Sequence, residues 1–183
     1  MSIDKFAATD APQPRKRLTF FQSQGATPIQ DHMPVLGVDD GVMKGLEILS
    51  AANPSGDPNV GAKTVLLFKE SGESGMSLAY IWFKSGYLLP RHTHDSDCLY
   101  YVLAGELQFG SRVLRKGDGM FIPANAGYTY QAGSEGVEVL EFRNATRFNF
   151  YFRNNTQEHW RRIAEVLKNN SASWATEAPP SER

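Results

Sequence analysis

The chain has 183 residues, and 19 Lys and Arg against 20 Asp and Glu leave a formal charge of -1. That balance, with basic residues dispersed and not interleaved with aromatics, argues against a nucleic-acid or membrane-surface partner. No apolar run approaches transmembrane length, no basic segment leads into an apolar one at the start, and one cysteine allows no internal disulfide. The expectation is a cytoplasmic protein with one domain around one core.

Residues 1–17 are polar, with Pro12, Pro14 and the short basic cluster Arg15-Lys16-Arg17, and read as a flexible N-terminal arm. From 18 to 154, short β-prone runs are separated by turn residues. The runs are Leu46–Leu49, Thr64–Phe68, Met76–Lys84, Cys98–Leu103, Glu106–Phe109, Gly119–Ile122, Tyr128–Tyr130, Val137–Phe142 and Phe148–Phe152. Asp39-Asp40-Gly41, Pro54–Pro58, Glu70-Ser71-Gly72, Gly110-Ser111 and Arg115–Gly119 read as the turns between them. Many short strands without intervening helical patterns predict an all-β sandwich or barrel, with 18–60 supplying an N-terminal strand extension.

Residues 155–170 read as one C-terminal α-helix. Asn155 stands as its cap with Glu158 three residues on, and Trp160, Ile163, Ala164 and Leu167 form an apolar stripe. Residues 171–183, with Pro179-Pro180, read as a flexible tail.

The chemistry concentrates between Gly86 and Gly105. His92 and His94 lie two apart beside a β-prone run, and on a strand side chains i and i+2 share a face. Both imidazoles are therefore expected to reach one metal ion, and Cys98 joins them if the strand continues without a bulge. His32 and His159 are expected to face solvent. Gly86, Gly105 and Gly117 read as backbone requirements, because no helix N-terminus follows them to make a phosphate cradle. No nucleophile elbow, P-loop, dinucleotide fingerprint or paired-cysteine zinc motif competes.

Gly86, His92, His94 and Gly105, with Cys98 between them, resemble the first motif of the cupins, small β-barrels that have Glu where Cys98 stands. Gly117-Asp118 and Pro123 resemble the second motif, in which Asn125, Tyr128 and Ala132 replace Gly, His and Asn. The resemblance spans roughly residues 61–151. It implies a double-stranded β-helix, or jelly-roll, with a metal held by the positions of His92, His94, Cys98 and Tyr128. The thiolate would favour Zn, Fe or Cu over Mn or Mg, the ion expected is one divalent transition metal per chain, Fe, Zn or Ni, and a phenolate ligates only an acidic metal, since free tyrosine has a pKa of about 10.

It also implies two readings of function. One is a metal-dependent enzyme acting on a small organic molecule in the barrel, dioxygenase-like first and a lyase or isomerase second. The other is a non-catalytic binding or sensor barrel with a degraded metal site. Tyr100, Phe121 and Tyr130 are expected to line the pocket, and Tyr80, Trp82 and Tyr128 add to its aromatic supply. Cys98 beside Tyr128 also resembles the thiol dioxygenases and raises a thioether crosslink as a minor expectation. The expected partner of the chain is a second copy, giving a homodimer.

Overall fold

The computed structural model describes residues 17–57, 59–72, 75–147 and 149–183. The expected arm over 1–17, apart from Arg17, and the start of the expected strand at Phe148 lie outside the described residues. In chain order the elements are β1 (Thr27–Pro28), β2 (Val35–Leu36), α1 (Asp40–Ala52), β3 (Ala62–Lys69), β4 (Ser77–Phe83), β5 (His92–Thr93), β6 (Cys98–Phe109), β7 (Arg112–Arg115), β8 (Gly119–Ile122), β9 (Gln131–Arg143), β10 (Phe150–Phe152) and α2 (Gln157–Trp174).

Among the described residues, one large sheet runs β1-β3-β4-β9-β6-β7, with β8 also on β6, and a smaller sheet runs β2-β10-β5. The sheets meet where Leu88 pairs with Gln131 and His92 with Tyr128. Alternation along β4, β6 and β9 turns Ala79, Ile81, Val102, Leu107, Val137 and Val139 into a shared interior. The long strands β6 and β9 pair in register from Cys98↔Arg143 to Gln108↔Gln131, with bulges near Gly105. Gly105 has φ 73°, and a Cβ there would stand 2.1 Å from the Gly136 carbonyl oxygen, so the strands cross at a point only glycine allows.

The predicted all-β architecture holds, with corrections at its edges. Leu46–Leu49 belongs to a helix: Asp39 Oδ1 accepts from the Val42 amide at 2.8 Å and caps α1, so the expected Asp39–Gly41 turn is a helix start. Val42, Leu46 and Leu49 then pack with Trp160 and Ile163 of α2. Val42, Leu46 and Leu49 follow a helical period of four and three, which a run of four residues does not distinguish from a strand.

The C-terminal helix also shifts. Thr156 caps it, with Oγ1 accepting from the His159 amide at 3.1 Å, and it runs on to the buried Trp174. Asn155 instead binds the main chain of Arg91. The tail is tied down rather than loose: Trp174 Nε1 donates to Ser85 O, Ser181 N donates to Glu138, and Arg183 pairs with Glu135 and Glu177. Glu135 and Glu138 of β9 supply acceptors that an isolated reading of the tail could not foresee.

Candidate functional site

His92 enters the interior because the chain before it is pinned on both sides. Its amide and carbonyl pair with Tyr128 at 3.0 Å each, and Asn155 fixes the preceding Arg91. His92 Nδ1 donates to the Pro90 carbonyl at 2.9 Å, which leaves Nε2 with the lone pair. His94 repeats the arrangement, with Nδ1 donating to Asn149 O at 2.6 Å. Its carbonyl accepts from the Asn125 amide at 2.7 Å. Asn125 has φ 65°, a left-handed turn conformation that asparagine tolerates.

The two rings stand 4.9 Å apart by centroid and both are buried. Burial first, and the adjacent His94 second, lower the His92 pKa to about 3. For His94 the causes are burial and then the Arg143 charge, again to about 3. Both imidazoles are neutral at pH 7.

β9 brings in two residues the sequence reading missed. Glu141 and Arg143 share the inward parity of Val137 and Val139 and are 1% and 3% exposed. Arg143 Nε and Nη2 both bind Glu141 Oε1, at 2.7 and 2.5 Å, and Nη2 also donates to His94 Nε2 at 3.2 Å. Burial alone would lower the Arg143 pKa, but Glu141 outweighs it and holds the guanidinium charged. A signal for this pair exists in the sequence: two opposite charges in phase with the valines of an inward-facing run.

Above this charged floor lies a cavity of about 340 Å³. His92, His94, Tyr100, Tyr130, Glu141 and Arg143 line its polar part, while Ile29, Ile81, Phe83, Leu89, Phe150 and Phe152 contribute apolar walls. A largely apolar hollow with a few convergent polar groups is what small-molecule sites generally have.

The expected ligand positions separate. Cys98 is interior, but the chain bends at Asp95-Ser96 before β6 begins, and Sγ turns to the Ser96 carbonyl at 3.6 Å. Burial and then Glu141 push its thiol pKa up. The Tyr128 hydroxyl is taken by Tyr100 at 2.9 Å, and burial raises its pKa as well. Neither residue lines the cavity. Tyr100 and Tyr130 do line it, whereas Phe121 is 62% exposed on the outer face of β8. Tyr80 and Trp82 are also off the cavity, on the β4 face opposite Ile81 and Phe83, where Tyr80 donates to Glu138. His159 is half-buried rather than solvent-facing, because α2 lies against the barrel.

The metal implied by the resemblance does not fit these side chains. Two neutral imidazoles with Nε2 lone pairs suit a divalent ion, but a guanidinium already sits on one of them. The thiol and phenol are held protonated, facing other partners. Among the described residues, no group of three or more His, Cys, Asp or Glu side chains is arranged to hold a metal.

A large antiparallel sheet packed with a smaller one, with both histidines buried on the floor of its interior, agrees with the expected jelly-roll architecture. No protein-family model matches the chain, and no curated protein sequence matches it. Solved structures to which it is similar include KdgF from a Halomonas species, at 20% identity over 50% of this chain and 84% of that one, TM-score 0.44. An RmlC-like cupin from Shewanella frigidimarina has 26% identity over 49% of this chain and 81% of its own, TM-score 0.42. The polyketide cyclase RemF from Streptomyces resistomycificus has 15% identity over 60% and 82%, TM-score 0.47. Among the described residues, no helix is long and apolar enough to cross a membrane.

Proposed function

We propose that the barrel binds one small organic molecule, with apolar walls for its body and the His92–His94–Arg143–Glu141 floor for its polar end. The observation that carries this reading is the contact of Arg143 with His94 Nε2 beneath a roomy cavity. The floor has no net charge, since Glu141 offsets Arg143 and both histidines are neutral, so it suits a neutral guest with hydrogen-bonding groups at one end. His92 Nε2 offers an acceptor, and the buried Tyr130 hydroxyl, on the lining of the same cavity, offers a donor.

This favours the binding or sensor reading over the dioxygenase-like one. Metal-dependent chemistry at iron, zinc or nickel would first require Arg143 to leave His94. A homodimer and a cytoplasmic location belong to the same proposal, and sedimentation equilibrium tests the first.

The guest site is tested by thermal shift with a panel of small hydroxylated and carbonyl-bearing ring compounds. Compounds that raise the Tm of the parent are expected to have no effect on Ala62→Trp, which fills the cavity from β3. Stabilisation that survives Ala62→Trp in a folded variant would place the guest elsewhere.

A further inference from the structure

Arg143 Nη2 lies between a carboxylate oxygen, Glu141 Oε1 at 2.5 Å, and an imidazole nitrogen, His94 Nε2 at 3.2 Å. Both partners are acceptors: Nδ1 of His94 donates to Asn149, so only Nε2 has a lone pair to give. His92 turns its own Nε2 away from Pro90, and its ring is 4.9 Å from that of His94. One imidazole lone pair and a carboxylate thus hold a positively charged N–H group, with the second imidazole ring beside them. Opposite Arg143 in the β6–β9 register stands Cys98, a short neutral side chain that leaves the guanidinium room.

We infer that the Arg143 guanidinium is the resident cation of this barrel. It occupies the place where His92, His94 and Glu141 would otherwise hold a divalent transition-metal ion, and it shuts that ion out. Zinc–nitrogen and zinc–oxygen bonds of about 2.0–2.2 Å require the three donors to close in, and taking the arginine away removes the group that lies between Glu141 and His94. This goes beyond guest binding and does not depend on it. The Ala62→Trp test can fail while this inference stands, and the reverse also holds.

The test is titration of chelator-treated full-length protein with Co²⁺ alone, read by visible d–d absorption and by Tm. The parent is expected to take up no stoichiometric Co²⁺. Arg143→Ala is expected to bind one equivalent per chain, with a metal-dependent rise in Tm that the parent lacks. Uptake should vanish again in Arg143→Ala combined with His94→Ala, and in Arg143→Ala combined with Glu141→Gln. One equivalent bound by the parent and lost in His94→Ala would overturn the inference, as would a folded Arg143→Ala that binds none.

If Arg143→Ala does not fold alone, Arg143→Gln provides the same titration. The parent supplies an independent readout by ¹⁵N NMR of its imidazoles. The His92 and His94 Nε2 signals are expected to be unchanged by added Zn²⁺, and a coordination shift at either would refute the exclusion.

Discussion

Asn155 holds the main chain of Arg91 with both ends of its amide: Oδ1 accepts from the Arg91 N–H and Nδ2 donates to the Arg91 carbonyl, each at 2.8 Å. The residue just before the cap of α2 thereby fixes the segment that delivers His92. Because Thr156 caps the helix, Asn155→Ala leaves the helix start intact and removes only this clamp. A loss of about 1–3 kcal/mol is expected from the unmet Arg91 N–H, since the Arg91 carbonyl keeps the Arg153 amide at 3.0 Å, and urea denaturation measures it. Faster amide exchange should be confined to the residues around His92; uniformly faster exchange would mean a general loosening instead.

Acid should weaken the protein through its two interior imidazoles. Their folded pKa values are about 3 against an ordinary 6.5, so below pH 6.5 the unfolded chain takes up protons that the folded chain refuses. The stabilisation is complete above pH 6.5 and is lost as pH falls toward 3. Each histidine adds a slope of up to about 1.4 kcal/mol per pH unit in that window. Urea midpoints between pH 6.5 and 5 should therefore fall steeply in the parent and less steeply in His92→Gln. Equal slopes would show that the His92 ring is not held neutral by the fold.

Cys98 is 1% exposed and its thiol is kept protonated by burial. A thiol reagent at pH 8 is expected to leave the native protein unmodified and to label one group per chain in denaturant, followed by intact mass. With Sγ turned to Ser96 and the Tyr128 hydroxyl on Tyr100, full labelling in denaturant is the outcome expected over a Cys98–Tyr128 crosslink. A denatured chain that refuses the reagent would reverse that.

The two helices meet at a glycine. A Cβ on Gly45 would lie 2.2 Å from Cε2 of the buried Trp160. Alanine improves helix propensity by up to about 1 kcal/mol, but overpacking of a rigid indole costs about 1–3 kcal/mol. Gly45→Ala is expected to lower the Tm with a change in tryptophan fluorescence. A variant as stable as the parent would mean that α1 can shift without strain.

Much of the barrel was legible in the sequence because strands write themselves in short-range chemistry. Gly119–Ile122 matches β8, and the alternation in Met76–Lys84 and Val137–Phe142 lies within or around β4 and β9. Leu46–Leu49 was not legible, because four apolar-rich residues carry either period and only contact with Trp160 selects the helix.

The site divides along the same line. His92 and His94 could be recognised because their spacing and nearby glycines are local, and the sequence alone was enough to bring both rings to one interior. What they meet there is a matter of strand register. β9 is the sheet neighbour of β6, and that pairing sets Arg143 opposite Cys98 and Glu141 opposite Tyr100. Sequence by itself determined a β-barrel with a pair of converging imidazoles. The tertiary structure decided that the cation beside them is a guanidinium from 49 residues further along the chain, because only pairing between distant strands can place a charge in a core.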